Sequence, residues 1–433
     1  MNHKFVSTLV VGLFLVTESL VTQGLMGQPV MGGSHATSHA DLRWKMSISL
    51  PAGTKIFYIN ITDSAGNIVS TNLVTLGNGS SADSFSAGRI RFDSTVWRTP
   101  RIYDDAPDSL NHPDEKAFYY AGLDYQGHKT KVFAYAGFPA NASATRKVPG
   151  VVLVHGGGGT AFPQWVKAWN DEGYAAIAMD LEGHQPTTSG PPSLLLSDHI
   201  LAGPKNSLFA DIGKRIEDQW LYHAVADVYL AHSILASDDR VDRNLIGITG
   251  ISWGGIVTSI AVGNADCYAF AIPVYGCGYL HTSKALYKSL YNDTVARQWD
   301  ASKWLRCITT PTLWINGESD PIFSIDATTK SVRATRTSDL TIIPGLQHGH
   351  VEGWSPREIY TFANSIARGG KGLIKILKQP AENDLTVEVD ASGSSGIKSA
   401  VLISSQDTLR YDAESHPTNV WLRTPIEPSS FRR

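Results

Sequence analysis

Six short apolar runs restrict this chain more than any other feature: Val151–Val154, Ala175–Met179, Leu245–Thr249, Ala269–Tyr275, Thr312–Ile315 and Leu340–Ile343. Each is unbroken rather than alternating, which is the pattern of a strand buried on both faces. Helical patterns separate several of them. The longest is Asp218–Leu235, which places Leu221, Ala224, Val225, Val228, Ala231 and Leu235 on one face. Strand and helix in turn predict an α/β fold, a doubly wound and mostly parallel sheet with right-handed crossovers.

A single core rarely exceeds about 250–300 residues, and the chain has 433. The flanks differ from the middle. Leu42 to Leu76 alternates with period two around the turn Asp63-Ser64-Ala65-Gly66, and a Gly/Ser-rich stretch follows from Gly77 to Ala87. After Gly369-Gly370-Lys371-Gly372, Leu385–Val389, Ala400–Ile403 and Trp421–Arg423 again read as strands. Phe118–Pro139 reads as a hairpin leading into the alternating region. The expected organisation is a β-rich N-terminal module over 40–100, an α/β domain over 110–370 and a β-rich C-terminal module over 373–433.

Phe5 to Val16 is an almost wholly apolar stretch behind Lys4 and ahead of Glu18. It is too short to span a bilayer and fits the core of a signal peptide occupying residues 1–30, cut somewhere between Ser19 and Gly33. Secretion follows as an expectation, and Asn60, Asn78, Asn141 and Asn292 stand in N-x-[ST] sequons that could carry glycans. No other segment could span a membrane. The net charge of −3 is spread without a basic stripe, which argues against a nucleic-acid partner. Three cysteines, Cys267, Cys277 and Cys307, do not make a disulfide scaffold. Cys277 and Cys307 could pair if their loops meet, but buried thiols are the expected state.

Gly250-Ile251-Ser252-Trp253-Gly254 follows one apolar run and precedes the apolar helical start Ile256–Ala261. Strand, serine turn, helix is the arrangement that lifts a nucleophilic hydroxyl above a sheet edge, with a helix N-terminus behind it to favour negative charge. His155-Gly156-Gly157-Gly158-Gly159 follows another strand. Such a loop presents backbone N–H groups without side-chain obstruction. A phosphate loop would need a closing Gly-Lys-Ser/Thr, and Thr160-Ala161-Phe162 stands there instead. The expected oxyanion donors are Trp253 and either Gly157 or Gly158.

Acid and base should follow the serine in chain order. Asp320, in Asn316-Gly317-Glu318-Ser319-Asp320-Pro321, is the expected acid, with Glu318 its competitor. His348 is the expected base and His350 the alternative. Trp220, His223 and Tyr275 are candidates to line the substrate pocket. Gln185 to Ile216 is a candidate cap, and His184 a polar loop residue. No His/Cys/Asp cluster has zinc spacing, and a serine triad needs neither metal nor cofactor.

Across His155 to Ala367 the chain resembles the α/β-hydrolases of the acetyl xylan esterase, cephalosporin C deacetylase and dienelactone hydrolase group. The resemblance rests on VLVHGGGGTAF, GYAAIAMD, YHAVADVYLAHS, GITGISWGG, IPVYGCG, NGESDPIF and HGHVEGW. It implies the α/β-hydrolase fold and a serine esterase acting on a small acyl ester or acylated carbohydrate. The same scaffold serves prolyl oligopeptidase-like peptidases, which keeps a serine peptidase open. A secreted matrix or binding protein on a hydrolase scaffold is the third reading; its mark would be a lost triad member.

Overall fold

The computed structural model describes residues 43–77, 88–186, 196–198, 201–426 and 431–432. The expected signal segment and the Asn78 sequon lie outside them, as does part of the expected cap.

A nine-stranded sheet carries the molecule. Its strands are β1 (Ile102–Tyr103), β2 (Glu115–Ala121), β3 (Lys131–Gly137), β4 (Val148–Val154), β5 (Ala175–Met179), β6 (Val241–Ile251), β7 (Ala271–Val274), β8 (Thr312–Gly317) and β9 (Ser338–Ile343). They lie in the order β9-β8-β7-β6-β4-β5-β3-β2-β1. From β5 through β4 to β9 every pairing is parallel. The expected hairpin, β2 with β3, supplies an antiparallel flank. β4, β5 and β7 are buried along their whole length, as continuous apolar runs require.

Among the described residues, seven α-helices accompany the sheet: α1 (Pro163–Asp171), α2 (Trp220–Ser237), α3 (Trp253–Asn264), α4 (Asp293–Trp299), α5 (Ile325–Ala334), α6 (His350–Trp354) and α7 (Arg357–Ala367). The one-faced reading of α2 needs correction, because fifteen of its 18 residues are buried. The cover on its outer side is the segment before β1. Phe92 stacks on Tyr222 at 4.7 Å, Trp97 packs on Tyr229 at 4.6 Å, and Ser233 Oγ donates to Val96 O.

The β-rich flanks do not fold apart from each other as the sequence suggested. Arg43–Ser47 pairs with Thr386–Asp390, and Ile56–Asp63 pairs with Ile397–Ser405. Two small sheets, of four and five strands, are therefore built jointly from both flanks. Alternation marks a strand without naming its partner, so the sequence could not show this. This β unit docks on β9, the edge of the large sheet. Ser70 Oγ accepts from Ile342 N–H at 2.7 Å, Asn60 Nδ2 donates to Ile342 O at 3.0 Å, and Thr341 Oγ1 donates to Ile68 O at 2.7 Å. An edge strand left open is a template for unwanted pairing, and here side chains close it.

Asn60 is thereby removed as a glycan site. It is buried, its amide nitrogen bonds Ile342 O, and its amide oxygen accepts from Ser70 Oγ at 2.6 Å. Asn141 and Asn292 are exposed. All three cysteines are free thiols, and burial raises those of Cys267 and Cys277. Among the described residues, no helix is long and apolar enough to cross a membrane.

Candidate active site

Ser252 stands between the end of β6 and the start of α3 with φ 57° and ψ −117°. A serine rarely adopts a positive φ, at a cost of about 1–3 kcal/mol. The packing around it leaves no alternative. A Cβ on Gly250 would fall 2.1 Å from Gly254 O, and one on Gly254 would fall 2.0 Å from Val154 O. Only glycine lets strand and helix close on each other this tightly. Gly254→Ala is therefore expected to destabilise the fold by about 3 kcal/mol or more, read as a lower denaturant midpoint at unchanged slope.

The imidazole of His348 is hydrogen-bonded on both sides. Its Nε2 lies 3.0 Å from Ser252 Oγ and its Nδ1 lies 2.8 Å from Asp320 Oδ2. The other carboxylate oxygen, Asp320 Oδ1, accepts from the N–H groups of Ile322 and Phe323, each at 2.8 Å. Asp320 is almost fully buried, yet both oxygens have donors, which is what a buried carboxylate requires. The His348 ring packs against Tyr275 at 4.4 Å and lies parallel to Phe323 at 5.9 Å. The Tyr275 hydroxyl donates to Gly349 O, which steadies the histidine loop. A hydroxyl, an imidazole and a carboxylate in this line can move a proton off the hydroxyl and return it to a leaving group.

The glycine loop lies against the serine. A Cβ on Gly156 would sit 3.1 Å from Ser252 Cβ, and one on Gly157 would sit 2.7 Å from the Trp253 indole. Of the two loop residues expected from the sequence, Gly157 is the one packed against the Trp253 indole. Burial raises the Glu182 pKa to about 7. Gly157 and Trp253 N–H have no protein acceptor among the described residues. The indole contact brings Gly157 and Trp253 together beside Ser252.

Two family models match. The acetyl xylan esterase model covers residues 113–280 and the prolyl oligopeptidase family model covers residues 210–363. Together with the strand order and the serine turn, these matches settle the class. The chain has the α/β-hydrolase fold. Its resemblance to the acetyl xylan esterase group holds, and the enzyme is a serine hydrolase.

Among solved structures, an acetyl xylan esterase from Paenibacillus sp. R4 is 17% identical, covering 62% of this chain and 88% of that one, with a TM-score of 0.49. Acetyl xylan esterase 1 from Thermoanaerobacterium sp. JW/SL YS485 is 14% identical, covering 60% and 86%, with a TM-score of 0.47. An acylaminoacyl peptidase from Pyrococcus horikoshii is 17% identical over 60% of this chain and 44% of its own, with a TM-score of 0.45. No curated protein matches the sequence.

Other candidate residues of the hydrolase fall in different places. Trp220 packs edge-on against Trp253 at 5.4 Å, and its indole N–H donates to Leu181 O at 2.7 Å. His223 does not join the triad. It borders a small cavity with Asp180 and Asp227, and its Nε2 meets Glu217 O at 2.9 Å. His184 donates its backbone N–H to Asp180 Oδ2. His350, the alternative base, bonds Gly156 N–H rather than the serine. One feature escaped the sequence reading. Phe209, with φ 67° beside Leu208 at φ 50°, packs on Trp253 at 5.5 Å from within the expected cap. Among the described residues, Asp412, Glu414 and His416 could together reach a metal ion, but all three are exposed.

Glu318, the competing acid, is bound elsewhere. Tyr58 Oη donates to its Oε1 at 2.6 Å, and Arg423 Nη2 bonds its Oε2. Both partners belong to the β unit, so that unit grips the loop carrying Asp320. Tyr58→Phe leaves one buried oxygen of Glu318 without this donor. It is expected to cost about 1–3 kcal/mol, measured as a loss of unfolding free energy in urea.

Proposed function

We propose that the hydrolase is a secreted esterase that removes small acyl groups, with acetyl groups on carbohydrate as the foremost substrate class. One observation carries the reading: His348 bridges Ser252 Oγ and Asp320 in a single hydrogen-bonded line. The match to the acetyl xylan esterase model supports the substrate class, and the apolar stretch Phe5–Val16 supports secretion.

The steps follow from the atoms present. Asp320 Oδ2 accepts from Nδ1–H and leaves the Nε2 lone pair facing the serine. Ser252 Oγ attacks the ester carbonyl carbon as its proton passes to Nε2. The carbonyl oxygen becomes an oxyanion held by Trp253 and Gly157 N–H; losing one such donor typically raises a barrier by about 2.7–4 kcal/mol. Collapse expels the alcohol, which takes the proton from Nε2, and leaves an acyl-serine. Water then attacks that acyl group, giving its proton to Nε2, and the second collapse returns it to Ser252 Oγ.

The second reading is a serine peptidase, favoured by the prolyl oligopeptidase model match over residues 210–363. Short acyl esters and prolyl anilides of matched acyl groups separate the two. The ester is expected to have the higher kcat/KM, and the reverse ranking would replace esterase by peptidase. The matrix-protein reading is tested by a fluorophosphonate probe, expected to label Ser252 alone; a folded protein left unlabelled would favour it. For secretion, the mature N-terminus of exported protein is expected between residues 19 and 33.

A further inference from the structure

A run of glycines cannot lock its own backbone, because glycine gives up the most conformational freedom on being fixed. In the loop beside Ser252 the anchors come from outside. The carbonyl of Gly156 accepts from His155 Nδ1–H at 2.6 Å and from Gly159 N–H at 3.1 Å. Those bonds hold the peptide joining Gly156 to Gly157 at one atom, about which its plane can still turn. The peptide is trans, so Gly157 N–H points away from the pinned carbonyl. The plane on the other side of Gly156 needs its own anchor, because φ and ψ of a glycine are loosely restrained. That anchor is His350, whose Nε2 accepts from Gly156 N–H at 3.1 Å.

His350 is suited to accept. Its ring packs on Phe162 at 4.9 Å, and burial lowers its pKa to about 4, so it is neutral near pH 7. It also crowds the loop into one course: a Cβ on Gly159 would come within 2.7 Å of its Nε2. It is the first residue of α6 and lies two positions after His348. One short segment thus carries the base and an anchor of the oxyanion loop.

We propose that His350 is a positioning residue, holding Gly156 N–H through Nε2 so that Gly157 N–H is aimed at the substrate carbonyl on Ser252. This rests on the esterase reading above. His350→Leu removes the acceptor, and His350→Gln restores one at similar reach. The probes are an acetyl ester for turnover and methylboronic acid, a mimic of the tetrahedral adduct, for binding.

His350→Leu is expected to lower kcat by about 10–100-fold with KM within about twofold, and to weaken the boronic acid by a similar factor. His350→Gln is expected to recover most of both. Should the Leu variant fail to fold, His350→Asn, whose acceptor falls short of Gly156, takes its place with the same expectation. A Leu or Asn variant that matches the wild type in kcat and boronate affinity overturns the inference. So does a Gln variant as impaired as the Leu variant. A wild-type protein that neither cleaves the ester nor binds the boronate overturns the esterase reading along with it.

Discussion

Ser252→Ala is expected to reduce kcat on a p-nitrophenyl acetate-type ester by about 10⁶-fold while the protein stays folded. The change deletes only Oγ. Alanine needs the same positive φ that serine already tolerates at this turn, so the strain is unchanged. What is lost is the atom that His348 Nε2 approaches at 3.0 Å. Without it neither the acyl-serine nor the proton transfer can form, and only water oriented by the remaining donors is left. Steady-state hydrolysis alongside far-UV circular dichroism checks the pair of claims. Turnover that survives in a purified variant would rule out Ser252 as the nucleophile.

Asp320→Asn is expected to lower kcat by about 10⁴-fold, more than its nearly unchanged shape suggests. Asp320 Oδ1 accepts from two backbone N–H groups, of Ile322 and Phe323. In the variant the amide oxygen keeps that position, because an NH₂ there would face two donors. The NH₂ then faces His348 Nδ1, where Asp320 Oδ2 now accepts. A donor at that point favours the tautomer with the proton on Nε2, which is the wrong nitrogen for receiving the Ser252 proton. Glu318→Gln is the control, since Glu318 is tied to Tyr58 and Arg423 and not to the imidazole. If its kcat fell as far as that of Asp320→Asn, the acid assignment would have to change.

The middle of the fold was readable because its signals are local. Each parallel strand is apolar on both faces, and the glycine at 250 is required by contacts with Gly254 and Thr258 a few residues away. Asp320 was preferred to Glu318 from its loop position alone, and the structure places it on the imidazole. Two things were not readable. One is partnership over distance: alternating residues in 43–63 and 386–405 mark strands but not that they pair. The other is tautomer and direction. His350 and His348 look alike in the sequence, and only the position of Gly156 separates an acceptor for a loop amide from a base. The surroundings of His223 were not readable for a related reason. A residue near the start of a long helix can face the site or the sheet, and α2 is covered on nearly all sides.

Arg43 lies opposite Asp390, and Ile56 opposite Ser405. A ribosome adding about 5–20 residues per second takes on the order of tens of seconds to travel between such partners. During that interval 56–63 can pair with its near neighbours 68–70 and 74–75 but lacks its partner from the C-terminal flank, and 43–47 lacks its own. The stretch from 386 to 405 therefore supplies the missing partners of both small sheets. A nascent chain halted before about residue 386 would carry every atom of Ser252, Asp320 and His348, yet its strands at 43–47 and 56–63 would lack the partners that both small sheets take from the C-terminal flank.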